Sequence, residues 1–594
     1  VTDKRWSIGI GTLVVFGIFL LALAVRVSNL GATPLSDGEA REALWAAAGT
    51  TSGSPFWPIL GARPASSGVY QAVTWMLFDA FGGTEATARA LPAVLGALMV
   101  LPPWWLRRRL GEVAALVVAF LLAISPVLIA GSRTAGGDSA SLSGLWFAVT
   151  VLILALDGEL SRSKAIPFLG LSLALGLAGG SLFYLGLIGL VLALAVWRWL
   201  GPGAWESARV REVARQLAPG ALAVGVGGAF LVSVAAGFLP RGATALAEGV
   251  RAALAGWFPP GDMPSLNPVA ILVSYEPLIL VFGVIGAVSA WRRRESLMVA
   301  AALWSAMSLV LIIAYPGRDG PAVALCLTPL AYLAGKALVT EAENLLRLPS
   351  VWAALAVGGV VLLLFLYAGL QLAAYAGGIG PGVAPLDPNL RLGIALGALA
   401  VAGLVVLLVG LGWNWKLARA GAGVALGAVL LLGTIASGSW LNSTRIEQGA
   451  HELWAPSAPT YGLQRLRSTL LSLSTSSTGI VDELPVALDG IAPPPSLVWA
   501  IRSFQRFSTS DSSRPESPPL LLLPDNAQTP AFASDFLGQK IPIEEHWATP
   551  SALPANPVTW WWRRNLATDT TTWILLVRSD VATQGESNVQ PSSP

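Results

Sequence analysis

The chain has 594 residues, of which 54% are hydrophobic and only 12% charged, and its mean hydropathy is +0.65. An ordinary soluble domain carries roughly 25% charged residues, so this composition excludes a protein folded wholly in water. The net charge of +3 arises from Lys and Arg clustered between apolar runs rather than along one stripe, which argues against a nucleic-acid partner and makes the clusters topology signals.

In chain order, the first apolar run follows Lys4 and Arg5 and continues to about Val27 without a small-residue cleavage site, so it reads as a retained helix over Ile8 to Ser28. A long outside loop, 29–84, comes next. Apolar length and Lys/Arg bias then predict a mainly α, polytopic bundle of about thirteen spans. Span two (Ala86 to Leu106) ends on the inside signal Arg107-Arg108-Arg109, and spans three (Val113 to Ala130) and four (Ser139 to Leu156) flank an outside turn holding Arg133 and Asp138. Gly179-Gly180 divides the run from Ala165 to Trp199 into a tight hairpin, spans five and six. Span seven (Gly220 to Leu239) leads to an outside loop, 240–267, and span eight (Val269 to Ala290) closes on Arg292-Arg293-Arg294. Spans nine (Leu297 to Ala314) and ten (Ala322 to Leu338) flank the outside turn Tyr315 to Asp319, and Val351 to Tyr375, Arg391 to Trp413 and Gly421 to Trp440 complete the set.

An odd number of spans with the N-terminus in the cytoplasm puts everything after residue 440 outside, on a plasma (inner) membrane protein. Residues 441–580 change to Pro- and Ser-punctuated strand-like runs such as Leu520 to Leu523 and Trp573 to Val577, predicting a small extracytoplasmic α/β domain, and 581–594 read as a disordered tail. The single cysteine, Cys326, precludes an intrachain disulfide.

Candidate chemistry concentrates outside. In Ser36-Asp37-Gly38-Glu39-Ala40-Arg41-Glu42-Ala43, Asp37 is expected to cap a helix that places Glu39 near Glu42 and Ala43 on one face. From the pattern alone, an ordinary N-cap with first-turn acids at the membrane surface is the reading it favours. Arg133 and Asp138, five apart in a Gly-containing turn, suit either a local salt bridge or anion or metal binding. Glu276, in Tyr275-Glu276-Pro277, falls within an apolar span and needs a partner or water, and Pro277 suits equally a kink lining a cavity and a plain proline kink with Glu276 at the interface. The only histidines, His451 and His546, lie in the soluble segment, so a histidine base within the bundle is excluded. No Cys/His cluster, Walker loop or Rossmann glycine pattern occurs.

The order of these landmarks resembles the GT-C class of membrane glycosyltransferases, in the protein O-mannosyltransferase and aminoarabinose-transferase superfamily. The landmarks are Ser36 to Arg41, Arg89-Ala90-Leu91-Pro92, Ser125-Pro126 and Ser132-Arg133 through Asp138. Tyr275-Glu276-Pro277, Arg318 to Pro321, Thr328-Pro329 and Pro495 to Arg502 are similar to one branch, the glycosyltransferases associated with flippase activity. The resemblance implies transfer of a sugar from a polyprenyl-phosphate carrier to a protein, glycan or lipid acceptor at the outer face. Asp37 or Glu39 would be the base, Arg89, Arg133 and Arg318 would meet phosphate, and Asp138 and Glu276 would complete the substrate site. A divalent cation on the carboxylates is chemically allowed, but no motif demands it. Gly38 stands where the family has the first of two adjacent acids, and Gly136 replaces an Arg common in the turn. Asp37, one residue early, would reach inward if Gly38 took a backbone conformation closed to other residues. Two other readings stay open: a noncatalytic accessory subunit of a membrane complex, and a flippase or transporter for lipid-linked sugars.

Overall fold

The computed structural model describes residues 9–49, 65–200, 207–258, 261, 263–377, 387–442, 451–488, 493–504, 507–509, 518–526, 535–548, 554 and 556–582. The expected tail lies largely outside them. The bundle begins with α1 (Ile10–Val27), α2 (Asp37–Ala48), α3 (Gly68–Phe81), α4 (Glu85–Leu98), α5 (Glu112–Ile124), α6 (Pro126–Ser132) and α7 (Asp138–Leu156). It continues through α8 (Arg162–Leu177), α9 (Ser181–Leu200), α10 (Ser207–Ser233), α11 (Gly242–Ala255), α12 (Asn267–Tyr275), α13 (Pro277–Arg293), α14 (Ser296–Ala314) and α15 (Ala324–Leu346). α16 (Val351–Gly377), α17 (Pro388–Val409) and α18 (Trp415–Leu441) complete it.

Among the described residues nine helices are long and apolar enough to cross a membrane, or eleven when each of two bent pairs counts as one span. The stretch Pro388–Leu441, read above as two spans, counts there as one candidate, and α8 has only 16 residues. The hairpin at Gly179-Gly180 is present, with Gly180 at φ +128°.

Two expected straight spans are bent. α5 and α6 meet at 57°, and α12 and α13 at 101°. Pro126 and Pro277 each open a new helix and supply no N–H to the turn before them. The two breaks are tied together: Glu276 Oε1 accepts from Ser125 Oγ at 2.5 Å and from the Val127 N–H at 2.9 Å. Glu276 is fully buried, so this carboxylate is the partner that the freed groups of the α5–α6 break need in a medium without water. Glu276→Ala orphans both donors and is expected to cost about 1–3 kcal/mol, read as a lower unfolding temperature in detergent; an unchanged midpoint would contradict the tie.

Small residues let the bundle close. A Cβ on Gly144 of α7 would lie 2.4 Å from the Gly176 nitrogen of α8, and one on Gly286 of α13 would lie 2.3 Å from the Leu333 carbonyl of α15. Bare backbone at these crossings substitutes van der Waals contact for the hydrophobic force that lipid does not supply. At the loop ends, Arg109 pairs with Asp157, Arg108 with Glu159 at 3.4 Å, and Lys336 with Glu295.

After α18 the chain forms β1 (Ser457–Pro459), α19 (Tyr461–Thr478), β2 (Val486–Leu488), α20 (Pro495–Ile501), β3 (Phe507–Thr509), β4 (Leu520–Pro524), β5 (Phe536–Trp547), α21 (Pro557–Arg563) and β6 (Thr568–Arg578). The strands make one mixed sheet of order β1-β5-β6-β4-β2-β3. β2 is parallel to β3 and β4, and the other pairs are antiparallel. Leu463, Leu466 and Leu470 of α19 and Leu497 and Ile501 of α20 pack with Val486, Leu520, Leu522 and Leu575 into a core separate from that of the bundle.

Candidate functional site

α2 is capped by Ser36, whose Oγ accepts from the Glu39 N–H while the Glu39 carboxylate accepts from the Ser36 N–H. This reciprocal box corrects the expectation that Asp37 is the cap; Asp37 is the first helical residue. Gly38 corrects a second expectation, because it lies inside α2, is not at positive φ, and a Cβ there would touch nothing within 4 Å. The backbone therefore does not swing Asp37 inward. Asp37 Oδ1 instead accepts from the Ser496 N–H of α20 at 3.0 Å, joining the soluble domain to α2.

Glu39 is enclosed and fully engaged. Its Oε1 accepts from Arg89 Nε at 2.7 Å and from the Ala135 N–H at 2.8 Å, and its Oε2 from Arg89 Nη2 at 2.8 Å and the Ser36 N–H at 3.0 Å. Arg89 spends its remaining hydrogens on Leu30 O, Thr33 O, Thr33 Oγ1 and Pro34 O. Burial pushes the Glu39 carboxyl up, but the Arg89 charge and its hydrogen bonds bring it below the ordinary carboxylate value. Residues from α2, α4, the loop after α1 and the Arg133 turn thus meet in one bidentate pair.

Arg133 makes no bridge to Asp138. Its Nη1 donates to Val25 O at 2.9 Å and Ser28 O at 2.8 Å, closing the C-terminus of α1. Together with Glu39, Arg89, Thr33, Thr134, Asn442 and Trp454 it lines a cavity of about 170 Å³. The Asn442 side-chain oxygen has no partner there among the described residues. Arg318 is committed to backbone, donating to Ile312 O and Ile313 O at the end of α14 and to Met263 O before α12.

Asp138 opens α7 on the other side of the same turn, and the two carboxylates that bear on it electrostatically are Asp319 and Glu42. Glu42 accepts from the Ser66 N–H and Oγ, both at 2.8 Å, through Oε1, while its Oε2 is enclosed without a partner among the described residues. Burial pushes Glu42 above the ordinary carboxylate value and the Glu248 charge adds to this, with Ser66 and Arg41 opposing. Asp319 is likewise raised by its surroundings, against a hydrogen bond from the Ala322 N–H. Among the described residues no three His, Cys, Asp or Glu side chains come together as a metal-holding set.

The structure therefore divides the expected site. Glu39, Arg89 and Arg133 share one cavity, Asp138 gathers with Asp319 and Glu42, and Asp37 and Arg318 serve as a domain contact and a helix end. Glu42 carried no assignment above. Its place on α2, one turn after Glu39, was visible, but which side of the helix meets which loop was not.

Residues 68–219 match the family model described as dolichyl-phosphate-mannose-protein mannosyltransferase. The fold is similar to that of ArnT from Cupriavidus metallidurans bound to undecaprenyl phosphate, with a TM-score of 0.56 at 16% identity over 96% of this chain and 99% of that one. The chain has the GT-C glycosyltransferase fold. ArnT from the same organism in its apo state aligns with a TM-score of 0.52 at 17% identity, over 87% of this chain and 94% of that one. No curated protein matches at the level of sequence. In this GT-C chain the family match begins at α3 and ends within α10, so it includes Arg89, Arg133 and Asp138 but not α2.

Proposed function

We propose that the protein transfers a sugar from a polyprenyl-phosphate carrier to an acceptor at the face bearing the soluble domain, and that this face is extracytoplasmic. The observation that carries the reading is that Glu42 on α2 and Asp319 in the turn after α14 both bear electrostatically on Asp138 at the start of α7, at one turn of a GT-C fold. Arg133, on the other flank of that turn, sits in a cavity large enough for a phosphate, and among the described residues its Nη1 alone is spent on carbonyls. Glu39 and Arg89, saturated by each other and by backbone, hold the two flanks together.

In this scheme the carrier phosphate pairs with Arg133, whose guanidinium is suited to phosphate oxygens. A first-loop carboxylate takes the acceptor's proton as its oxygen or nitrogen attacks the anomeric carbon, and the carrier leaves as the phosphate. Two acids of α2 are candidates for that base. Asp37 has one oxygen on the soluble domain, whereas Glu42 has an oxygen without a partner among the described residues and a proton affinity raised by burial, which favours accepting a proton. Glu42 is the better candidate, and Asp138 and Asp319 orient the acceptor or the sugar.

Purified protein in lipid, given an undecaprenyl-phosphate sugar and candidate acceptors, tests the reading: product supports it. Lipid movement without product would favour a flippase, and carrier binding with neither would favour an accessory subunit, the reading to which Gly38 lends weight. Arg133→Ala is expected to weaken undecaprenyl phosphate binding about 10- to 100-fold, the worth of a charge-assisted hydrogen bond; unchanged affinity would move the phosphate elsewhere. Reporter fusions after residue 440 should place the soluble domain outside and Arg107 to Arg109 inside.

A further inference from the structure

The soluble domain grips the bundle at a second place, away from Asp37 and Ser496. Arg564 is wholly enclosed and pairs through Nη1 with Glu452 Oε2 at 3.3 Å. Its guanidinium lies 4.4 Å from the Trp560 ring centre and 5.2 Å from that of Tyr275. The Tyr275 hydroxyl donates to Glu452 Oε2 at 2.5 Å and accepts from the Leu453 N–H at 3.0 Å. Ser437 of α18 adds a link, accepting from Arg564 and donating to Ser274 O at 2.7 Å.

Tyr275 is the last residue of α12, directly before Glu276. Glu276 in turn holds Ser125 and Val127 at the start of α6. α6 is only 7 residues long and ends at Ser132, where the turn carrying Arg133, Ala135 and Asp138 begins. From Arg564 to Asp138 the path is continuous: ion pair, phenol hydrogen bond, broken helix, carboxylate tie, short helix, site turn. No other tie of the break at Ser125-Pro126 to a side-chain carboxylate occurs among the described residues.

We infer that Glu452 and Arg564 of the soluble domain are positioning residues, setting the place of the Arg133–Asp138 turn through Tyr275 and the Glu276 tie. Seating of the domain and geometry of the site are then one equilibrium rather than two, which gives an acceptor bound against the domain a route to the turn.

The test reads geometry and so does not depend on the transferase reading. A cysteine at Thr134, which lines the cavity and whose hydroxyl donates, among the described residues, to Ala130 O, is labelled with a maleimide in the purified protein in lipid. The native Cys326 is buried and silent. Tyr275→Phe removes one hydroxyl and alters no residue of the soluble domain, and Glu452→Gln keeps the shape of its side chain. Both are expected to change the Thr134→Cys labelling rate about 2- to 30-fold, the range that such coupling spans, with a control cysteine at the exposed Ser163 unchanged. An unchanged rate at Thr134→Cys in both variants overturns the inference. A change without any loss of turnover in an active protein leaves the coupling standing and detaches the turn from the chemistry.

Discussion

Glu42→Gln will lower sugar transfer by about 10²- to 10⁴-fold, the usual loss when a general base is removed, while undecaprenyl phosphate binding stays within a few-fold of the parent. The amide keeps the acceptor atom that meets Ser66, so α2 should remain seated. The parallel variant Asp37→Asn keeps an oxygen for the Ser496 N–H and is expected to lose much less. Full activity in Glu42→Gln with loss in Asp37→Asn would return the base to Asp37, and full activity in both would remove it from α2. The pH profile offers a second check. A base must be unprotonated to act, and burial raises Glu42, so turnover should climb with pH through an acid limb lying above the ordinary Glu value of about 4.3. A limb at or below that value would speak against Glu42.

Arg89→Met should be the most destabilising single change in the bundle, at about 3–5 kcal/mol, because it leaves the Glu39 carboxylate charged, enclosed and unpaired. Arg89 also closes three backbone carbonyls, at Leu30, Thr33 and Pro34, which the thioether cannot satisfy. Glu39→Gln should cost less, since the amide still accepts from two of the four donors. The measurement is the thermal unfolding midpoint of the purified protein, and Arg89→Met melting with the parent would remove Glu39 and Arg89 from their structural role. The sign of the pH effect follows from the pair. Glu39 is held below its ordinary value in the folded protein, so its contribution is present above about pH 4.3 and is lost as pH falls through the lowered folded value; the Glu39→Gln protein should lack that acid-side loss.

The bilayer as solvent, much of the segmentation into helices, the break at Gly179-Gly180 and the exit into a strand-bearing domain were legible in the sequence, whereas the bend at Ser125-Pro126 and the helices α3 and α11 within the expected outside loops were not. Each legible feature depends on properties local in the chain: run length, apolar content, and residues whose backbone preference is their own. The order of landmarks was legible for the same reason, and with it the GT-C fold. The roles of individual acids and arginines were not. Asp37, Glu39 and Glu42 occupy one short helix, yet they face the soluble domain, Arg89 and the acid cluster respectively, because the azimuth of α2 is decided by the box at Ser36, the bidentate pair with Arg89 and the contact at Ser496. Arg318 and Arg133 resemble each other as loop arginines, and only the position of the neighbouring helix ends decides that all three guanidinium nitrogens of Arg318 meet carbonyls while Arg133 commits one. Glu276 was recognisable as a buried acid beside a proline; that it answers a second proline break, in a helix far away in the chain, is a pairing made by packing. Partners so distant in sequence are chosen by the tertiary structure, since a charged or unpaired group in a medium without water must find whichever complementary group the fold brings within reach.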